Sequence, residues 1–246
     1  MQFRVMKFYF SGVSGASEYR MLDEAKVRHA LVDQFDLSNV PRGREGVALD
    51  SGAYCAGKKN LNLNVEDYIR IIRESGPFDF ILSLDVIGDP ARSRYNWEVM
   101  KRAGVRALPV WQWGAAPKDE LKAYLDEAQI VGIGGLATSM RNKDARMLDE
   151  LTAICETFPD RRHIFEMNWL RAIELLKDKV YSADSSKWLD GARYSHVIFT
   201  NTRTGHLSQA PAKALKLTLD RSERCILSAR NLEEYVSRTP AQEKAA

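Results

Sequence analysis

Three aspartates stand out as the residues best suited to chemistry, each at the end of a short apolar run. Asp50 closes Gly46-Val47-Ala48-Leu49 and opens Asp50-Ser51-Gly52-Ala53-Tyr54. Asp184 closes Val180-Tyr181-Ser182-Ala183 and opens Asp184-Ser185-Ser186-Lys187-Trp188, and Asp85 follows Phe80-Ile81-Leu82-Ser83-Leu84. A carboxylate on a rigid strand end can serve as nucleophile, as general acid or base, or as acceptor for a bound N–H group. Asp184 is the best nucleophile candidate; a buried aspartate accepting hydrogen bonds from Ser185 or Ser186 is the equal alternative on local sequence. Gly52 permits a tight turn that exposes Asp50 and Ser51, although Asp-Ser-Gly also makes an ordinary Asx turn or cap. Asp85 either sits partly desolvated at a rim, where a planar base could supply its donors, or caps a turn. Asp89, before Pro90, is assigned to helix capping.

Other positions could read a ligand without reacting with it. Gln112, between Trp111 and Trp113, can donate and accept in one plane, and Tyr54 is either a pocket wall or core. Gly134-Gly135 lets backbone approach a ligand closely, or simply turns; it lacks the third spaced glycine of a dinucleotide fingerprint. His163 begins an expected strand, the wrong end for chemistry, and reads as structural. His29, His196 and His206 show no ligand spacing, and no serine has a histidine partner, so acyl transfer is disfavoured.

These residues need a scaffold that brings distant strand ends together. Expected strands are roughly 3–10, 46–49, 79–84, 106–111, 129–133, 163–167, 180–183 and 196–200. Amphipathic segments at 18–35, 65–74, 89–103, 117–128, 142–158 and 168–179 lie between them. The first of these places Met21, Leu22, Ala25, Leu31 and Val32 near helical spacing. Eight short, non-alternating strands interleaved with helices predict an α/β chain folded as a single-domain (β/α)8 TIM barrel, with an open doubly wound sheet as rival. In the barrel every strand's carboxyl end faces one mouth, so the aspartates converge. A polar loop at 202–208 and helices at 212–219 and 232–236 predict a C-terminal extension over about 204–246, with 240–246 frayed.

Composition narrows the classes. A 246-residue chain that is 45% hydrophobic can bury a large core, and 36 basic against 33 acidic residues leave any polyanion surface to a local patch. Cys55, Cys155 and Cys225 are scattered, which indicates neither a disulfide framework nor a structural zinc site; no metal or cofactor is expected, and the setting is expected to be cytoplasmic. No apolar run reaches the ~20 residues a membrane helix needs, and the first eight residues read as a strand rather than a signal peptide.

In order, the motifs resemble the tRNA-guanine transglycosylase superfamily, including its branch that modifies DNA with 7-deazaguanines. The matching stretches are Asp50-Ser51-Gly52-Ala53-Tyr54, Ser83-Leu84-Asp85, Gln112, Gly134-Gly135-Leu136-Ala137, His163-Ile164-Phe165-Glu166-Met167 and Ser182-Ala183-Asp184-Ser185-Ser186. The resemblance implies a (β/α)8 barrel in which Asp184 attacks the ribose C1′ and Asp50 is the general acid/base. Ser51 would belong to the base site, Tyr54 and Met167 would sandwich the base, and Asp85, Gln112, Gly134 and Gly135 would bind its polar edge. The chain departs from the family at Ala53, where a second glycine is usual, at Cys55, where glutamine is common, and at Glu166, where a small residue is usual. The zinc-binding cysteine segment of tRNA-acting members is missing, and no appended RNA-binding domain follows. The implied partners are therefore DNA ahead of tRNA and a 7-deazaguanine of the preQ0 type, as in compact phage-type modification enzymes related to the queuosine pathway. A homodimer or a helper protein that opens the duplex is compatible with this. Candidate phosphate binders are Arg92, Arg94, Arg141, Lys143, Lys187, Arg193 and Arg203. The alternatives are a zinc-less tRNA enzyme, a non-catalytic nucleic-acid-binding subunit, and a barrel glycosidase or lyase acting on a small sugar.

Overall fold

The computed structural model describes residues 5–238. β1 (Lys7–Phe10), α1 (Ala16–Glu24), β2 (Ala30–Asp33), β3 (Val47–Asp50), α2 (Ala53–Lys59) and α3 (Val65–Ser75) come first. β4 (Ile81–Leu82), α4 (Pro90–Arg102), β5 (Ala107–Leu108), β6 (Val110–Gln112) and α5 (Lys118–Glu127) follow. β7 (Val131–Gly134), α6 (Ala137–Asn142), α7 (Ala145–Thr157), β8 (Arg162–Ile164), α8 (Leu170–Leu176), β9 (Ser182–Ser185) and α9 (Asp190–Tyr194) complete the alternation. The nine parallel strands run β5-β4-β3-β2-β1-β9-β8-β7-β6, so the two ends of the sheet are separated in sequence only by Pro109. Proline has no N–H for the ladder, yet the Pro109 carbonyl accepts from Gly132 N at 2.8 Å. β5 and β6 are thus halves of one stave, and the sheet makes a nearly closed (β/α)8-type barrel.

Alternation along the strands sorts two cores. Phe8, Phe10, Val32, Val47 and Leu49 face the helices and join the large outer core. Tyr9, Leu31, Ala48, Leu82 and Val110 form a separate inner cluster with Phe80, Leu108 and Phe165, which fills the barrel below its mouth. Parallel register pairs Asp33 with Asp50 on neighbouring strands, and Tyr9 with Asp184.

The barrel is as expected, but two of its staves are not. Leu31 and Val32, expected in a helix over 18–35, belong to β2. α1 stops at Glu24, and Lys26, in the left-handed region at φ 60°, turns the chain into the strand. Residues 196–200, expected as the eighth stave, form β10 (His196–Thr200), which pairs antiparallel with β11 (Leu207–Pro211) in a separate two-stranded sheet. The segment 142–158 is split by Lys143, at φ 54°, into the end of α6 and the start of α7, which Asp144 caps by accepting from Arg146 N and Met147 N. Residues 212–219 hold only a 3-10 turn, Ala212–Leu215, and 232–236 are the end of α10 (Arg221–Val236). Asp89 does cap α4, accepting from Arg92 N at 2.9 Å. α10 buries Cys225, Ala229 and Leu232 while packing against α1, β1, α9 and β10. Residues 3 and 4 of the expected first strand, and 240–246, lie outside the described residues.

Candidate active site

A cavity of about 500 Å³ opens at the carboxyl ends of the strands. Strand ends supply Asp33 from β2, Asp50 from β3, Gln112 from β6, Gly134 from β7 and Asp184 from β9; the loops that follow add Asp36, Asp85, Ile87, Gly135, Phe165 and Glu166, and α2 and α9 add Tyr54 and Arg193. Asp50 and Asp184, more than a hundred positions apart in sequence, therefore line one space.

The turn after β3 depends on Gly52. Its φ of 74° is left-handed, and a Cβ there would come within 2.9 Å of the Phe35 ring. This turn lets Ser51 N donate to Asp50 Oδ1 at 2.9 Å and Ser51 Oγ donate to Asp85 Oδ1 at 3.1 Å. Ser51 itself is fully buried and does not line the cavity; it acts on Asp85. Gln112 is equally committed to protein groups. Its Nε2 donates to Asp85 Oδ2 at 3.2 Å and to the Val86 carbonyl at 2.8 Å, and its Oε1 accepts from Gly88 N at 2.8 Å. It lines the cavity, but as the strut that fixes Asp85 and the loop after β4.

Burial pushes the Asp50 carboxyl well above the ordinary aspartate range, and the neighbouring charges of Asp85, Asp184 and Asp33 push it further. Asp85 is raised too, by burial, against the pull of its Ser51 and Gln112 hydrogen bonds. Asp184 differs in its donors. It accepts Glu166 N–H at Oδ1 at 3.1 Å, and Met167 N binds its backbone carbonyl at 2.7 Å. That arrangement needs Glu166 at φ 49°, a left-handed conformation that side chains resist, which explains why a small residue suits this position. The Glu166 carboxyl faces the cavity, raised by burial and by Asp184, with Lys58 and Arg141 acting in the opposite sense.

Other expected residues are distributed unevenly. Tyr54 lines the cavity, exposed, with Lys58 Nζ 4.1 Å from its ring centre. Met167 is wholly buried in the outer core and does not line the cavity, where Phe165 and Glu166 stand instead. Gly135, at φ 77°, brings backbone to the wall; a Cβ there would meet the Trp113 carbonyl at 2.8 Å. Of the phosphate-binder candidates, Arg193 lines the cavity, Arg141 and Lys143 are exposed at the end of α6, and Arg92 is exposed beside Tyr95. Arg94 pairs with Glu98 and Glu127, and Lys187 with Asp190 at 2.7 Å, so both are engaged. Arg203 sits in the turn between β10 and β11, next to residues His206 and Leu207 that Glu174 of α8 holds on the outer wall.

Sequence reasoning missed Asp33 and Asp36, hidden by reading β2 as helix, and the carboxyl of Glu166. It also missed Lys58 and Lys59 of α2, which stack over Tyr54 and Phe35 at the rim. His163 is not at the wrong end: it lies in the barrel interior with Nε2 3.6 Å from Asp184 Oδ1. The Cys55 thiol also lines the cavity, but burial and its hydrogen bond to Asp33 push it up to about 11, which does not suit a nucleophile. Among the described residues no group of three His, Cys, Asp or Glu side chains is placed to hold a metal ion, and no helix is long and apolar enough to cross a membrane. The chain matches no family model and no curated protein.

Proposed function

We propose that the protein is a base-exchange glycosyltransferase that replaces guanine in a nucleic acid with a 7-deazaguanine. The observation that carries this reading is a shared cavity lined by two carboxylates from distant strands, one of them raised. Asp50 is buried among like charges and driven toward its protonated form, and Asp184 lines the same space with Glu166 N–H on its Oδ1. An acid and a second carboxylate at one site suit glycosyl transfer with retention. Asp184 attacks C1′ as the C1′–N9 bond breaks, and protonated Asp50 supplies the proton that the departing guanine takes up. The resulting Asp50 carboxylate accepts the N9 proton of the incoming deazaguanine, whose nitrogen forms the new bond to C1′ and releases Asp184. The cycle is ping-pong, with nothing oxidised or reduced.

Electrostatic layering supports a polyanionic substrate. The cavity wall is acidic, with Asp33, Asp36, Asp85, Glu166 and Asp184 beside the protonated Asp50, and it disfavours phosphate. The rim carries Lys58, Lys59 and Arg141, with exposed Tyr54 and Phe35 beside the lysines. Such a surface holds the backbone outside while an extruded base enters, at an unpairing cost of a few kcal/mol. DNA is the favoured polymer, because the chain has no zinc-binding cysteine segment of the kind tRNA-acting relatives use.

Incubation with labelled guanine and duplex DNA, single-stranded DNA or tRNA tests this. Label entering DNA, together with a covalent protein–DNA adduct, is the expected result; Asp184→Ala should remove the adduct and lower exchange at least about 10³-fold without unfolding the barrel. Label entering only tRNA would replace DNA by tRNA. Turnover of a simple glycoside without nucleic acid, or binding with no adduct, would overturn the proposal.

A further inference from the structure

We infer that His163 is a positioning residue that holds Asp184 in its attacking orientation through Nε2–H. The inference rests on the transglycosylase reading for its kinetics, though not for its geometry. His163 is wholly buried on β8, in register with Ser182 of β9, and its Nδ1 lies 2.9 Å from Ser182 Oγ. Its Nε2 has no hydrogen-bond partner and is 3.6 Å from Asp184 Oδ1, the oxygen that already accepts Glu166 N–H.

The tautomer follows from the neighbours. A hydroxyl can donate as readily as accept, whereas a carboxylate only accepts. If Nδ1 carried the proton, the Nε2 lone pair would face an anionic oxygen in a buried site, which is repulsive. If Ser182 donates to Nδ1, the Nε2 proton points at Asp184, and a few tenths of an ångström of side-chain motion make the bond. The ring is held in this attitude by edge contacts with Phe80 at 5.1 Å, Phe165 at 5.0 Å and Tyr9 at 6.4 Å between ring centres. Glu166 N–H and His163 then grip the same oxygen and leave Oδ2 to form the bond to C1′. Two donors on one oxygen also offset the repulsion from the surrounding carboxylates, which a nucleophile in this acidic wall requires.

Long-range nitrogen–proton correlation spectra of the histidine rings test the geometry with no substrate present, and the chain has only 4 histidines to assign. His163 should show a protonated Nε2 and a bare Nδ1, and Asp184→Asn should shift its ring signals while those of His196 and His206 stay put. A protonated Nδ1, or His163 signals indifferent to Asp184→Asn, overturns the inference. Kinetically, His163→Phe keeps an aromatic ring in the cage but removes the donor. It should slow adduct formation about 10- to 100-fold and leave guanine affinity within about twofold of wild type. His163→Gln, which retains an N–H donor, should recover part of that loss; equal slowing in both variants, or a defect confined to base affinity, overturns the positioning role. If no base exchange occurs at all, the proposed function fails and the spectra still decide the pair. Normal exchange with the wrong tautomer sinks the pair alone.

Discussion

In the proposed exchange Asp50 and Asp184 carry the same side chain but take different roles, acid and nucleophile. Each accepts one backbone N–H, and it is burial together with the neighbouring carboxylates that raises Asp50. An acid raised by burial and like charges remains protonated above the ordinary aspartate range, so adduct formation should be fastest on the acid side of that raised pKa and fall as pH climbs through it. Asp50→Asn keeps the acceptor for Ser51 N but cannot deliver a proton. Single-turnover adduct formation should drop about 10²- to 10⁴-fold and lose its pH dependence, while guanine affinity measured by calorimetry is retained. A variant whose rate still declines with pH as in the wild type would assign the acid role elsewhere.

At the scale of elements, the cavity wall depends on backbone that only particular residues allow. β7 ends in Gly134, Gly135 follows it, and the Trp113 carbonyl passes 2.8 Å from where a Gly135 Cβ would be. With φ at 77° as well, Gly135→Ala should cost about 1–2 kcal/mol from the left-handed conformation before the clash is counted, a shift that urea unfolding reads directly. Such turns were legible: Asp-Ser-Gly, Gly-Gly and Asp-Pro each mark a backbone geometry independent of tertiary context. β2 was not, because Ala30-Leu31-Val32-Asp33 is only four residues long and its apolar positions continue the phase of α1. The strand over 196–200 has an apolar run like any stave, but it pairs with β11 and packs against α10 instead of joining the barrel. These two misreadings cancel in the count of staves, yet the first concealed Asp33, and with it part of the acidic wall. His163 was obscure for a related reason. Its distance along β8 looked remote from chemistry, whereas cross-strand register brings it beside Ser182 and so beneath Asp184.

At the scale of the molecule, the chain is net +3, yet six carboxyl groups line the cavity with Arg193, and Lys58, Lys59 and Arg141 stand near its mouth. The rim predicts salt-sensitive binding. Lys58→Ala should weaken affinity uniformly across sequences and reduce the slope of log affinity against log salt by about 0.7–1 in fluorescence-anisotropy titrations. The mouth has a consequence for stability as well. Asp50, Asp85, Glu166 and Asp36 all have carboxyls raised above their ordinary values, chiefly by burial. The folded state therefore binds their protons more tightly than the unfolded chain does, so stability falls as pH rises from the ordinary carboxylate range through the raised folded values. His29 works in the opposite sense: burial lowers its pKa, so its share of stability is lost as pH falls below the unfolded histidine value. The difference between wild type and Asp50→Asn removes the histidine contribution, because His29 is common to both. Thermal unfolding from pH 5 to pH 8 should find the variant increasingly more stable than wild type toward the alkaline end, because only wild type must accommodate a charge at position 50 among Asp85, Asp184 and Asp33. Parallel curves across that range would mean that Asp50 keeps an ordinary pKa, and the separation of acid from nucleophile would lose its physical basis.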